Sequence, residues 1–434
     1  MEGTDQMDAA DVFHTLDIEL KPDPSRTVIR PFSFGYPAAF ADGRTPRMQQ
    51  VVQRLLALEP DLRERMRGLL NVPMHERHPT ADATFLRRFE EVKGDIGPVG
   101  HLDETDRLLI GAYFSQEYAF ESAALFNPSI VRQPDSDVTD EAMPFLLSLR
   151  GIGEGHISSV TFRTGIWDGG DNVVIDPASE HGMPPSIEGE EDGWTLLMCE
   201  HSDDVSETVI FPVLPSQRQG VEDLRLVNFT DHDGVESVIG TYTAFDGVTA
   251  RQEMLRGVDL NRFQMRVLDG AMTGYKGMAL FPRRINNQFV MLGRQDNENI
   301  WLLRSDDLTR WETGERIMGP KYPWEFVQMG NCGSPIEIDE GWLVFTHGVG
   351  LVRGYCIGAC LLDKDDPSKV LARTHSPLLF PSAEQRGGYV PNVTYSCGAL
   401  LHKRRILLPY AIGDEFSAFA VGSVDDILSV MDPA

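Results

Sequence analysis

The heptapeptide GVEDLRL, residues 220–226, sets two adjacent carboxylates, Glu222 and Asp223, beside Arg225 and behind a glycine. Such a pair can hold the proton that releases a leaving group. It can equally be a solvated turn in which Arg225 neutralises the acids, and the heptapeptide alone leaves both readings open. Further polar residues stand at the ends of apolar runs. They are Asn127 in LFNPSIV, Arg150 in LSLRG, Lys276 in YKGMALFPRRIN, Arg294 in VMLGRQD, His347 in FTHGVG and Asp414 in YAIGDE. Scattered single residues of this kind make a site only if the elements carrying them converge.

Those elements are short. From about residue 125, runs such as FLLSLRGI, ISSVTFRTG, LRLVNF, SVIGTYTAF, QFVMLGR, NIWLLRS, GWLVFTHGV and FAVGSV are separated by Gly, Asp, Asn and Pro. This is the texture of an all-β body built of many strands. No alternation with long helices occurs, which disfavours a parallel α/β sheet. The choice lies between stacked sandwiches and a propeller of four-stranded blades, whose strand ends crowd around one axial mouth. Before that, Val51, Val52, Leu55, Leu56 and Leu58 fall at helical spacing. Pro60 divides two helices, and residues 83–96 and 103–126 read as helical, the last with Asp103 or Thr105 as its cap. The expected organisation is an irregular segment over 1–45, a helical extension over 46–124 and a β domain over 125–430.

Composition narrows the partners. The chain has 434 residues and a net charge of −27, from 39 basic and 66 acidic side chains. Nucleic acid and anionic membrane are repelled by such a surface, whereas a small anion can still enter a local basic pocket. The opening MEGTDQMDAADVF is acidic and lacks the apolar run of a secretory signal, and no stretch approaches a membrane span. Five cysteines without framework spacing predict reduced thiols, a cytoplasmic setting and no metal site.

The phrases GVEDLRL, TYTAFD, KGMALFPRRINNQFVMLGR, IWLLRSDDLTRW, GSPIEIDEGWLVFTHGV, GACLLDKDDPSKVLART, PLLFP, YVPNVTYSCGALL and YAIGDEFSAFAVGSVDDIL occur in family order. Over about 120–430 the chain resembles glycoside hydrolase family 130, the β-mannoside phosphorylases and β-1,2-mannosidases. The resemblance implies a five-bladed β-propeller with an axial site and says nothing of the helical region. That region is expected to pack on the same chain, with a homo-oligomer as the alternative.

The resemblance further implies roles. Asp223 matches the general acid, whose proton passes through a sugar hydroxyl, with Glu222 beside it to hold one proton between two carboxyls. Lys276, Arg294 and His347 match a phosphate-binding trio of charge-assisted donors. Asn127, Arg150, Glu222, Arg225 and Asp414 match substrate-binding positions, and Tyr242 reads as packing. Leu224 stands where the family usually has Pro, Gly277 where Asn is common, and Gln328 where many phosphorylases have Lys. The implied reaction is inverting phosphorolysis of a β-mannoside oligosaccharide, with inorganic phosphate as co-substrate, no cofactor, and α-mannose 1-phosphate as product. A β-mannosidase of the same family is the alternative. It needs a second carboxylate roughly 6.5–9.5 Å from the acid to activate water, for which Glu325 and Glu298 are the candidates. A non-catalytic carbohydrate-binding propeller is the third reading.

Overall fold

The computed structural model describes residues 11–434 apart from 38–42, 135, 137, 140, 141, 200–203, 258–260, 383, 384 and 386. It contains two compact units. One comprises the residues up to Pro24, Phe120–Ser179 and Pro184–Ala434; the other comprises Ser25–Ala119 and Glu180–Met183.

The smaller unit holds helices α1 (Arg47–Leu56), α2 (Pro60–Arg77), α3 (Ala81–Val92) and α4 (Glu104–Tyr113), with an antiparallel ribbon of β2 (Thr27–Pro31) and β3 (Ser115–Ala119). Pro60 opens α2, where a missing N–H is cost-free. The Asp103 carboxylate accepts the Asp106 N–H at 2.8 Å and caps α4. Val52 and Leu55 of α1, Phe89 and Val92 of α3, and Leu109 and Ile110 of α4 share one core. At the α3–α4 crossing a Cβ on Gly111 would stand 1.8 Å from the Phe85 carbonyl oxygen, so only glycine permits this approach.

Two expectations are corrected here. The helix read over 103–126 stops at Tyr113, because Ser115–Ala119 finds a strand partner in β2. The segment 1–45 is not irregular throughout: β1 (Phe13–Leu20) and β2 are strands whose partners lie far along the chain, beyond the reach of a local pattern. Residues 1–10 and 38–42 of that segment lie outside the described residues.

The larger unit is built of five antiparallel meanders. The first is β4 (Ala124–Arg132), β5 (Met143–Ile152), β6 (Ser158–Trp167) and β7 (Val173–Ile175), with β10 (Val209–Ile210) also on β6. The second is β11 (Gly220–Thr230), β12 (Glu236–Phe245), β13 (Ala250–Gly257) and β14 (Arg262–Val267), extended by β9 (Trp194–Met198) and β8 (Ser186–Glu191). The third is β15 (Lys276–Leu280), β16 (Phe289–Arg294), β17 (Ile300–Ser305) and β18 (Gly314–Met318). The fourth is β19 (Gln328–Asn331), β21 (Gly341–Val349), β22 (Tyr355–Leu362), β23 (Val370–Thr374) and β28 (Met431–Pro433), with β20 (Ile336–Ile338) also on β21. The fifth places β24 (Thr394–Tyr395) and β25 (Leu400–His402) on β26 (Arg405–Ile412), then β27 (Phe416–Ser423), and is finished by β1 from the start of the chain. A short helix, α5 (Val424–Ser429), follows β27.

Apolar side chains from adjacent meanders interdigitate around a full cycle. Phe162 and Leu146 of the first meet Leu226 and Phe263 of the second. Val227 and Met254 of the second meet Leu280 and Met291 of the third. Leu292 and Leu302 of the third meet Trp342 and Leu362 of the fourth. Phe345 and Ile357 of the fourth meet Leu408 and Ala420 of the fifth. Leu407 and Phe419 of the fifth meet Phe145 and Leu147 of the first. These cores hold the leading strand of each meander in place for the side chains described next.

Candidate active site

Three leading strands break register where the site residues lie. β4 shifts against β5 between Phe126 and Ser129, β11 against β12 between Glu222 and Arg225, and β15 against β16 between Lys276 and Ala279. Such bulges re-aim a side chain that regular pleating would send into a sheet face. Backbone conformation marks the same places: Asn127, Asp223 and Asp414 have φ of 48°, 53° and 50°, and Gly277 has φ of 88°. Left-handed backbone at non-glycine residues is uncommon and gathers at functional sites.

Asp223 is the hub. Its Oδ1 accepts Asn127 Nδ2 at 2.7 Å and Arg150 Nη1 at 3.0 Å, and its main-chain oxygen accepts Arg225 Nη1 at 3.0 Å. Arg150 spans both carboxylates, giving Nη2 to Glu222 Oε1 at 3.0 Å, and lies over the Phe126 ring. Lys276 Nζ reaches the other Glu222 oxygen at 2.9 Å. Arg225, buried, gives Nε to the Cys332 carbonyl at 3.0 Å and Nη2 to the Tyr395 hydroxyl at 2.8 Å. Burial pushes the Asp223 carboxyl upward, but the Arg150 and Arg225 guanidiniums, the Asn127 hydrogen bond and the Lys276 ammonium outweigh it. Asp223 is therefore held well below the usual carboxylate range and is an anion in the free site.

Across β15 and β16, Lys276 and Arg294 are direct partners, yet they serve different neighbours. Arg294 Nη1 donates to His347 Nε2 at 3.1 Å, and its Nε is buried without a hydrogen bond. With its side-chain amide turned to suit its neighbours, Gln328 accepts from the same Arg294 Nη1 at 3.1 Å. His347 is 1% exposed, stacked on Tyr355 and edge-on to Tyr395. Burial, then Arg294 and Arg225, hold its pKa well below that of an ordinary histidine. Contrary to the expectation of three charge-assisted donors, His347 is thus not a cationic one. His347 is neutral and accepts from Arg294, Lys276 is matched by Glu222, and Arg294 has no carboxylate partner among the described residues.

Asp414 belongs to the same cluster electrostatically. Burial and the Asp223 charge raise it to about 6, against the pull of Arg150 and Arg353. All five meanders thus supply the cluster, through Asn127 and Arg150, Glu222 to Arg225, Lys276 and Arg294, Gln328 and His347, and Tyr395 and Asp414. A separate cavity of about 310 Å³ is lined by Ile130, Leu226, Arg283, Glu337 and Leu400. It takes one run from each meander but none of these residues.

Among the described residues, neither candidate base of a hydrolase bonds through its side chain to the cluster. Glu325 is 1% exposed, and its oxygens take Arg373 Nη2 at 2.6 and 2.7 Å and the main-chain N–H groups of Lys321 and Tyr322. Buried and paired with Arg373, it is not presented to a water nucleophile. Glu298 is exposed on the turn between β16 and β17. Tyr242 is buried, with its hydroxyl donating to Glu253 Oε2 at 2.8 Å, which fits packing. Residues that the sequence did not single out are Tyr355 and Tyr395, which flank His347, Asn331, whose Nδ2 donates to the Gly277 carbonyl at 3.0 Å, and Arg353. The tyrosines sit in apolar runs that read as ordinary strand packing, and only register brings them to the histidine.

Residues 187–433 match the glycoside hydrolase family 130 model, described as beta-1,4-mannooligosaccharide phosphorylase, over more than half of the chain. A 1,2-beta-oligomannan phosphorylase from a Thermoanaerobacter species is 38% identical over 154 residues, 35% of this chain and 52% of that protein. A beta-1,4-mannooligosaccharide phosphorylase from Ruminococcus albus is 37% identical over 163 residues, 34% of this chain and 48% of that protein. The chain thus spans about half the length of these two curated relatives. A beta-1,2-mannobiose phosphorylase from a Thermoanaerobacter species is 34% identical over 220 residues, 49% of this chain and 70% of that protein. Among solved structures, the beta-1,2-mannobiose phosphorylase of Listeria innocua has a TM-score of 0.54 at 19% identity, over 72% of this chain and 92% of that one. A sequence match on this scale, with the fold shared, is descent rather than convergence: the chain belongs to glycoside hydrolase family 130.

Proposed function

We propose that this protein is an inverting phosphorylase of β-mannosides and that its larger unit is a five-bladed β-propeller. The cyclic packing of five meanders, the last finished by β1, supports the propeller. In the reaction, inorganic phosphate attacks the anomeric carbon opposite the leaving oxygen, and the product is α-mannose 1-phosphate. Asp223 serves the leaving oxygen. Arg150, Asn127 and Asp414 hold the mannosyl unit, and Lys276, Arg294 and His347 hold phosphate.

One observation carries the choice of phosphate over water. Among the described residues Arg294 is a partly buried cation with an idle Nε and no carboxylate partner, beside a neutral histidine. An unpaired charge in such a place is costly, and a phosphate dianion satisfies it while acting as the nucleophile. The hydrolytic reading needs an open second carboxylate, and the burial of Glu325 in an ion pair with Arg373 argues against that residue. The relatives named above as phosphorylases of mannose-containing substrates point the same way.

The test is incubation with β-1,2- and β-1,4-mannobiose, each with and without inorganic phosphate. The expected result is mannose 1-phosphate formed only when phosphate is present. Free mannose released at the same rate without phosphate would make the protein a hydrolase.

A further inference from the structure

We propose that Tyr389 and His156 form the platform on which the leaving sugar of this reaction binds. The proposal rests on the phosphorolytic reading above and deepens it, since that reading gives partners to phosphate and to the mannosyl unit but none to the sugar that departs.

The direction of departure follows from the order of the meanders. In an inverting displacement the nucleophile and the leaving oxygen lie on opposite faces of the anomeric carbon. Lys276 and Arg294, for phosphate, come from the third meander, and His347 comes from the fourth. The meanders pack in cyclic order, and in a ring of five the junction of the fifth and the first lies across from the third. The leaving sugar is directed towards that junction, and Tyr389 and His156 bridge it.

The Tyr389 hydroxyl and His156 Nδ1 are hydrogen-bonded at 2.9 Å, and their rings lie 5.7 Å apart at 40°. Each is carried by a segment built onto a residue assigned to the mannosyl unit. Tyr389 belongs to the segment 387–390, which lies backbone on backbone against the turn that bears Asp414. A Cβ on Gly388 would stand 2.8 Å from Gly413 Cα, and one on Gly413 would stand 2.5 Å from the Gly387 carbonyl oxygen. Val390 N donates to the Gly413 carbonyl at 2.7 Å. His156 belongs to the turn 153–157 that joins β5 to β6. Arg150 leads into that turn, and its Nε donates to Ser158 Oγ at 2.9 Å just beyond it. Gly155 and His156 have φ of 71° and 58°. Left-handed backbone at a histidine is uncommon, and here it accompanies an imidazole that meets a residue of the fifth meander.

The pair is open to a ligand. His156 is exposed and Tyr389 is 52% exposed. Neither side chain has another hydrogen bond or an ion pair among the described residues. A tyrosine pinned at its hydroxyl has little freedom left to lose when something packs on its ring. A sugar offers the C–H groups of its less polar face to that ring, and hydroxyls at its edge to the remaining imidazole nitrogen, Nε2. The charges in the cluster are matched to an anion and to the acid, whereas the leaving sugar is neutral and suits an uncharged, half-apolar pair.

The experiment uses the full chain, with Tyr389→Ala, Tyr389→Phe and His156→Ala, in the synthetic direction. The donor is α-mannose 1-phosphate and the acceptor is mannose. The donor fills the mannosyl and phosphate positions but not that of the leaving sugar, so its KM is an internal control. Tyr389→Ala should raise KM for mannose about tenfold or more and leave KM for α-mannose 1-phosphate within about twofold of wild type. His156→Ala should raise the same constant about threefold or more. Tyr389→Phe, which keeps the ring and loses the bond to His156, should fall between wild type and Tyr389→Ala. In phosphorolysis of whichever mannobiose the wild type cleaves, the variants should raise KM for mannobiose and not for phosphate. Circular dichroism checks that each variant is folded. A pair that only pins the segment 387–390 changes both synthetic constants alike or neither, and either result overturns the proposal. Mannose released by the wild type at the same rate without phosphate would sink the phosphorolytic reading and this proposal with it, and is seen before any variant is made.

Discussion

Arg294 Nη1 stands 3.1 Å from His347 Nε2, an arginine donating to a histidine that burial keeps neutral. The imidazole is therefore a hydrogen-bonding partner of the guanidinium and not a second cation. Replacing either Arg294 or His347 by Ala should raise the phosphate concentration needed for half-maximal rate at least tenfold, with a much smaller change for mannoside. Because the His347 pKa is lowered, its neutral form persists from pH 8 to well below 6.5. Phosphate affinity should then follow the ionisation of phosphate itself across that range, with no added histidine step. Initial rates over a grid of phosphate and mannoside concentrations at several pH values measure both.

Asp223→Asn should lower mannobiose turnover by about a hundredfold to ten-thousandfold, the range for loss of a positioned acid. The variant keeps an acceptor oxygen for Arg150 and Asn127, so circular dichroism should show an intact fold. Near-wild-type turnover would return Asp223 to a purely structural part.

Glu325→Gln tests the buried carboxylate as structure and not as base. Breaking a buried pair leaves Arg373 uncompensated, a loss of about 3–5 kcal/mol. Denaturant unfolding should register that loss, while phosphorolysis by the remaining folded protein stays near wild type. Full stability with abolished turnover would reverse the assignment.

The Asp414 shift makes a statement about stability. Its folded value of about 6 exceeds the usual aspartate value of about 3.9, so the native state binds the proton more tightly than the unfolded chain. The associated stability is full below about pH 4 and is lost as pH rises through about 6. Asp414→Asn cannot ionise and escapes the loss. It should match wild type near pH 4 and exceed it at pH 8 by roughly 2–3 kcal/mol. Urea unfolding at the two pH values reads the difference.

Deleting residues 1–24 removes β1 and bares the edge of β27 over Ser417–Gly422. Bare edges pair with other chains. Size-exclusion chromatography should show aggregation of this variant under conditions where the full chain elutes as a discrete species.

Much of the β body was written in local pattern. Runs such as FLLSLRGI, LRLVNF and GWLVFTHGV lie on β5, β11 and β21, because an apolar run bounded by turn residues is readable within its own length. β1 and β3 were not readable, since each is a strand only by virtue of a distant partner. The register slips at Asn127, Asp223 and Gly277 were likewise silent. Leu224 and Gly277 stood out as departures from family pattern, but not as neighbours of a bulge.

The sequence by itself determined which residues are present to act: two adjacent acids, an arginine ahead of them, a lysine, an arginine and a histidine at later strand ends, and an aspartate after a glycine. Their chemical types and their order follow from the chain alone. Only the tertiary structure decided their states. Asp223 is an anion because Arg150 and Arg225 meet it from β5 and from its own strand. His347 is neutral because it is buried beside Arg294, and Asp414 holds a proton more tightly than a free aspartate because burial and a like charge oppose ionisation. Glu325 is spent because Arg373 and two main-chain N–H groups occupy it. Protonation depends on desolvation and on charges a few ångströms away, and both come from residues remote in the chain.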